Sequence, residues 1–312
     1  MIFKYKTCSS ISDIKSVISL ENNSFDIFIE SVLPETTKIE RCILGIDEAG
    51  RGPVLGPMVY GTSFCCADNQ EILKALGCAD SKVLTEQARD DIFDGITKQN
   101  NLLGWAVHII SPNTISNCNF RRQKCSLNEV SHNAAIGLIQ RVLDRGVNLS
   151  EVYVDTVGPA EKYEAKLSAI FPQLKIKVSK KADSLFPIVS AASICAKVTR
   201  DAALKNWKFV EKPGEIIDSN WGSGYPADPI TKEYLTKNID PVFGFPNIVR
   251  FCWSTAETIL KDHAVQVDWS DDEEEDNKST VPITSFFTQN GKQVKQKTAF
   301  FDDRGLVVTT KI

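Results

Sequence analysis

An apolar run, Cys42-Ile43-Leu44-Gly45-Ile46, delivers two adjacent carboxylates, Asp47 and Glu48, straight into the glycine-flanked loop Gly50-Arg51-Gly52. A short apolar run bounded by polar residues is the pattern of a buried strand. A carboxylate near the end of such a strand is costly unless it is paired or bound to a metal. Successive strand residues point to opposite faces, so Asp47 and Glu48 reach one ion only from a distorted strand end, or they serve two metals. Gly50 and Gly52 permit positive φ and close approach of a ligand to the backbone, and Arg51 adds a planar fork of donors suited to phosphate. The bland alternative is a tight turn carrying a surface Asp-Glu pair.

Composition narrows the chemistry. The 312 residues are 42% hydrophobic, ordinary for a soluble globular chain of one large domain or two small ones. No apolar run is long enough to cross a membrane, and the N-terminus lacks the apolar centre of a signal peptide, which together predict an intracellular protein. The nine cysteines are scattered without a C-x-x-C, so neither a disulfide framework nor a zinc site is indicated, and they are expected reduced and mostly buried. His108, His132 and His263 have no metal-binding spacing. Oxygen ligands must therefore carry any metal.

The net charge of −4 hides an uneven distribution. Residues 266–312 hold nine acids and six bases, so the remainder of the chain is close to neutral at −1. Between Lys175 and Lys212 nine bases face three acids, and that local +6 predicts a phosphate-facing surface.

Along the chain, residues 1–38 are mixed in character and are expected to be an N-terminal extension packed on the main domain. Two strand-like segments, 42–47 and 54–64, flank the Gly-Arg-Gly loop and suggest an antiparallel pair. Periodicity then predicts a helix over 85–98, a strand over 102–111, a helix over 127–145 closed by Gly146, a strand over 152–155, a helix over 159–171, a strand over 174–178 and a long helix from Asp183 to Trp207. The fold class is α/β, a mixed sheet of about five strands flanked by helices, with a main domain over 39–265 that ends in a helical extension. In that extension Phe243, Phe245, Phe251 and Trp253 are expected to pack onto the core. The acidic block Asp271-Asp272-Glu273-Glu274-Glu275-Asp276 cannot bury surface, so 266–312 is expected to be a flexible, disordered tail.

Val152-Tyr153-Val154-Asp155 repeats the first motif, an apolar strand handing a carboxylate to a turn, and Asp183 stands where a helix begins. Taken alone, Asp183 reads as a helix N-cap. If the two strands are neighbours, Asp47, Glu48, Asp155 and Asp183 converge, and four clustered acids raise one another's pKa unless divalent cations compensate them. Magnesium suits oxygen ligands, and two such ions about 4 Å apart serve phosphodiester hydrolysis. Ser190 and Ser193 lack a histidine to activate them and read as small residues on a buried helix face.

Five motifs occur in order: Asp47-Glu48-Ala49-Gly50-Arg51-Gly52, Val154-Asp155-Thr156-Val157-Gly158, Lys181-Ala182-Asp183-Ser184, the run from Ser190 to Asp201, and Gly222-Ser223-Gly224-Tyr225-Pro226. Together, over residues 40–255, they closely resemble the catalytic A subunits of eukaryotic type 2 ribonuclease H. The resemblance implies a ribonuclease H-like fold with Asp47, Glu48, Asp155 and Asp183 as the catalytic ligands of two Mg2+ ions, with Mn2+ as an alternative. It implies hydrolysis of the RNA strand of RNA/DNA hybrids, and cleavage 5′ of single ribonucleotides embedded in duplex DNA, leaving a 3′-hydroxyl and a 5′-phosphate. Gly50, Arg51 and Gly52 are then expected at the 2′-hydroxyl that alone marks a ribonucleotide. Tyr225 is expected on the following sugar, with Ser81, Lys82, Lys181 and Arg200 as further substrate contacts. The resemblance also implies a heterotrimer with B and C subunits, a nuclear location, and roles in ribonucleotide excision repair and removal of RNA primers during replication. Rival readings are another two-metal nuclease such as a junction resolvase, and a catalytically silent hybrid-binding subunit. In the tail, Ile283, Phe286 and Phe287 form an I-x-x-F-F core of the kind that binds sliding clamps, although Thr280 replaces the usual glutamine.

Overall fold

The run that opens the sequence argument forms β3 (Cys42–Ala49), a strand with seven of its eight residues buried. Around it the computed structural model, which describes residues 5–20, 24–78, 84–123, 125–209, 211 and 220–265, builds one mixed sheet. Its other strands are β1 (Tyr5–Thr7), β2 (Ile27–Glu30), β4 (Met58–Cys66), β5 (Leu103–Ile110), β6 (Leu149–Asp155) and β7 (Lys175–Ser179). The order is β1-β2-β5-β4-β3-β6-β7. β3 pairs antiparallel with β4 and parallel with β6, so the two strands that deliver carboxylates are neighbours.

The sheet has seven strands where the sequence pattern suggested five. The two added strands come from the N-terminal residues: β1 and β2 pair with each other, and β2 pairs antiparallel with β5. At three and four residues they are too short to show alternation.

The helices are α1 (Ile11–Leu20), α2 (Gln70–Ala75), α3 (Glu86–Lys98), α4 (Pro112–Phe120), α5 (Leu127–Asp144), α6 (Ala160–Ile170), α7 (Ala182–Leu185), α8 (Pro187–Lys205), α9 (Pro229–Lys237) and α10 (Ser254–His263). Odd-numbered β3 residues face the core shared with α1, α3 and α8; even-numbered ones face the core shared with α5 and α6. α8 lies close on the sheet: a Cβ at Gly45 would sit 2.3 Å from the Ile188 carbonyl, and one at Gly61 2.5 Å from that of Ala192. Only glycine on the strands, meeting the helix backbone directly, permits this approach. It brings the α8 side chains onto the odd face of β3.

The long helix expected from Asp183 to Trp207 is two helices. Phe186 precedes Pro187 and is extended (φ −126°, ψ 114°), because a proline disfavours helical geometry in the residue before it. Asp183 thus lies in the first turn of the short α7 rather than at a helix N-cap, a place taken by Lys181. In the C-terminal extension, Phe245, Phe251 and Trp253 join a third core with Val54 and Leu55, but Phe243 is 88% exposed, contrary to expectation.

Candidate active site

The four acids meet at the ends of β3 and β6. Asp47 and Glu48 lie within β3 rather than beyond it, and alternation sends them to opposite faces. Asp47, 6% exposed, faces α8 and accepts a hydrogen bond from Ser193. Glu48 faces α5 and α6, directly across from Tyr60 on β4. Asp155 closes β6, and its Oδ1 accepts from the backbone of Thr156 at 3.1 Å and of Ala182 at 3.0 Å, which ties the start of α7 to this strand end. Lys181, immediately before, is the only non-glycine with positive φ among the described residues (φ 55°). A left-handed lysine is strained, and such strain clusters at functional sites. Here it turns the chain so that Asp183, 2% exposed, comes down beside Asp47 and Asp155.

Burial first, and then the charges of Asp155 and Asp183, push Asp47 up to about 7 against the pull of Ser193. Burial and the charges of Asp47 and Asp155 push Glu48 up to about 8, against Arg51 and the Tyr60 hydroxyl. Glu48 Oε2 is buried without a hydrogen-bond partner. Among the described residues, no three acids, thiols or imidazoles stand close enough together to surround one ion. The four acids are within electrostatic reach but spread across both faces of β3, as strand geometry requires. The donor set is all oxygen, and the orphaned Glu48 oxygen and the raised pKa values are what a cation would relieve, so the residues fit a divalent ion.

The loop beside the acids is built from three directions. Gly50 has φ +74°, and a Cβ there would fall 2.0 Å from Arg200 Nε, so no other residue fits. A Cβ at Gly52 would lie 3.0 Å from the Tyr225 ring, and Tyr225 is 51% exposed, leaving a half-open aromatic face against the loop. The Gly224 carbonyl accepts from Val54 at 2.8 Å, which fixes that contact.

Two of the expected substrate contacts are engaged within the protein. Arg51 donates to Ser131 Oγ at 3.0 Å and Asn128 Oδ1 at 2.5 Å on α5. Arg200 donates to the carbonyls of Pro57 at 3.2 Å and Leu55 at 3.4 Å, so it braces the loop from behind. Ser81 and Lys82 lie outside the described residues, as do Ile283, Phe286 and Phe287 of the tail.

Sequence reasoning missed Arg250. Fully buried, it donates to the carbonyls of Gly50 (2.5 Å), Arg51 (3.0 Å) and Gly56 (2.9 Å), while Trp253 Nε1 donates to the Gly52 carbonyl at 3.1 Å. Burial and the nearby charge of Arg200 lower its pKa. Every carbonyl of the Gly50-Arg51-Gly52 loop is therefore held from inside. The available signal was a lone cation between Val249 and Phe251.

The basic stretch is less uniform than its charge suggested. Lys175, Lys177 and Lys205 pair with Glu151, Glu164 and Glu86, Lys208 donates to the Ser19 carbonyl at 2.5 Å, and Arg200 is turned inward. Lys180 and Lys181 are exposed next to the acids, at the end of β7. Ser190 and Ser193 are both fully buried on α8, and Ser193 does more than pack, since it hydrogen-bonds Asp47. Among the described residues no helix is long and apolar enough to cross a membrane.

A mixed sheet that gathers acids at two adjacent parallel strand ends, under a backbone loop, defines an α/β nuclease of the ribonuclease H-like fold. The sequence profile described as Ribonuclease HII matches residues 44–256. The A subunit of ribonuclease H2 from Arabidopsis thaliana is 54% identical over 248 residues, covering 80% of this chain and 82% of its own length. The crystal structure of the ribonuclease H2 from Pyrococcus horikoshii is 34% identical with a TM-score of 0.59, covering 71% of this chain and 98% of that one. The ribonuclease HII in a PCNA complex from Archaeoglobus fulgidus is 29% identical with a TM-score of 0.57, covering 74% of this chain and 99% of its own. The chain belongs to the ribonuclease HII family, in its branch of eukaryotic type 2 catalytic A subunits. It is thus a ribonuclease H, an endonuclease acting on RNA/DNA hybrids.

Proposed function

We propose that the chain cuts the RNA strand of hybrids and also nicks 5′ of single ribonucleotides embedded in duplex DNA, leaving a 3′-hydroxyl and a 5′-phosphate. One observation carries this reading: the acids lie beside a loop whose carbonyls are all held inward, facing a half-exposed tyrosine. A loop held by its carbonyls can lie flat against a sugar, and at one nucleotide only the 2′-hydroxyl separates RNA from DNA. Tyr225 offers its ring face to the neighbouring sugar, and Lys181 and Lys180 offer charge to the backbone.

Asp47, Glu48, Asp155 and Asp183 would hold two Mg2+ ions, or Mn2+. When bound, such ions compensate the acids, activate water and stabilise the leaving oxygen. The chain's own contribution is orientation. Ser193 fixes Asp47, the backbone of Thr156 and Ala182 fixes Asp155, and Arg250 fixes the loop.

The same reading extends to a heterotrimer with B and C subunits, since the eukaryotic relatives are themselves A subunits. It also extends to nuclear roles in ribonucleotide excision and primer removal, and to clamp binding by Ile283, Phe286 and Phe287. The archaeal relative in a complex with PCNA supports the last of these. The test is cleavage of a duplex carrying one ribonucleotide, with Mg2+ and with the partner subunits where they are needed. A nick 5′ of the ribonucleotide that Asp47→Ala abolishes is the expected result. Tight hybrid binding without any nick would favour the silent-subunit reading.

A further inference from the structure

On the even face of β3, three buried polar atoms lack a hydrogen bond of ordinary geometry: Glu48 Oε2, Tyr60 Oη and Tyr163 Oη, although the Tyr60 hydroxyl stands near enough to Glu48 and Ser131 to act on both. They belong to one neighbourhood. Tyr60 is Glu48's direct partner across the β3–β4 ladder, so their side chains rise side by side from the same face. Tyr163 on α6 packs in the same core and lies within electrostatic reach of Glu48 and Arg51. His132 stacks on its ring at 3.9 Å. Arg51 closes the group by donating to Ser131 and Asn128 on α5.

Packing does not require these hydroxyls. All nine residues of β4 are buried, and Tyr60 belongs to the same apolar core as Met58, Phe64, Ile46 and Leu138, a setting in which phenylalanine packs as well. A buried hydroxyl without a well-formed hydrogen bond destabilises the fold, so two of them beside a carboxylate oxygen in the same condition call for a purpose outside stability. Each is an O–H donor, and an ionised carboxylate accepts only.

We propose that Tyr60 and Tyr163 are positioning residues for Glu48: their hydroxyls donate to its carboxylate, directly or through a buried water, and hold it in the orientation that receives a divalent ion. Groups behind a metal ligand set its orientation and its basicity. Asp47 and Asp155 are oriented by backbone N–H groups and Ser193; Glu48, on the opposite face of the strand, has these two phenols in that place.

The inference rests on the proposed metal site, and the test keeps the two apart. Mn2+ binding to the full chain, assembled with its partner subunits, is measured by calorimetry for wild type, Tyr60→Phe, Tyr163→Phe and Glu48→Gln, alongside nicking and thermal unfolding. The expected result is that Tyr60→Phe weakens Mn2+ binding and lowers kcat by about tenfold, with KM for substrate and the melting temperature little changed. Tyr163→Phe acts in the same direction, and neither substitution has a further effect in the Glu48→Gln background. Wild-type binding and turnover in both phenylalanine variants would overturn the inference, as would an undiminished Tyr60→Phe effect on Glu48→Gln or a loss of activity that merely follows a lower melting temperature. If wild type itself binds no Mn2+, the metal reading fails rather than the positioning role.

Discussion

Two buried carboxylate sites on the same sheet are built in opposite ways. At the β2 edge, Glu30 is 5% exposed and accepts from Arg141 Nε at 2.8 Å and Nη2 at 2.5 Å, with Arg145 Nη1 3.7 Å away. Arg141 in turn lies 4.6 Å over the Tyr5 ring. At the ends of β3 and β6, Asp47, Glu48, Asp155 and Asp183 gather, and the nearby arginine, Arg51, donates to Ser131 and Asn128 on α5 instead. Where a buried charge serves stability, the chain supplies its own cation. At the second site, on the proposed reading, a divalent ion completes the balance.

The largest effect should come from neutralising one acid in each place. Glu30→Gln strands two partly buried guanidinium groups and should cost about 3 kcal/mol in unfolding free energy, with nicking unchanged under native conditions. Asp47→Asn should do the reverse. Nicking should fall by about 10³-fold or more, while the metal-free protein unfolds no more easily than wild type, since the substitution removes repulsion among the acids. Paired unfolding and nicking assays check both, and equal destabilisation by the two variants would erase the distinction.

The second effect concerns pH. Asp47 and Glu48 have folded values of about 7 and about 8 against ordinary values of 3.8 and 4.5. Between about pH 4 and 8 the folded chain therefore holds protons that the unfolded chain has released, so the stability of the metal-free protein falls as pH rises. The loss should amount to several kcal/mol across that window. Saturating Mg2+ should flatten the slope, because the cation takes the protons' place. Denaturant melts at several pH values, with and without metal, measure the difference.

How much of each region the sequence disclosed follows the same division. β3 to β7 are apolar or alternating segments bounded by turns, and the acids toward the ends of β3 and β6 are visible because a carboxylate interrupts the apolar pattern. β1 and β2 exist through pairing with each other and of β2 with β5, which no local pattern encodes, and so the Glu30 site was invisible too. The break before α8 was available in Phe186-Pro187 and was outweighed by the helical periodicity on either side. Arg250 acts from about 200 residues beyond the loop that it holds, a relation only the fold creates. The glycines of that loop showed that the backbone is special there, but not what fixes it.

The basic stretch poses the same question at the surface, where effects are smallest. Charge counting treats all its lysines alike, yet Lys175 and Lys177 have carboxylate partners at 3.5 and 3.8 Å, whereas Lys180 and Lys181 are exposed beside the acids. Exposed ion pairs contribute about 0–1 kcal/mol, so Lys175→Ala with Lys177→Ala should leave stability, hybrid affinity and its salt dependence near wild type. Lys180→Ala with Lys181→Ala should also spare stability, since relaxing the left-handed turn at Lys181 gains nothing from alanine. Hybrid binding should weaken without regard to sequence, and each phosphate no longer neutralised should reduce the slope of log affinity against log salt by about 1. Equal slopes for the two double variants would mean that phosphate is met elsewhere. Unequal slopes would show that the fold divides one basic segment into lysines that neutralise the protein's own acids and lysines left for a ligand.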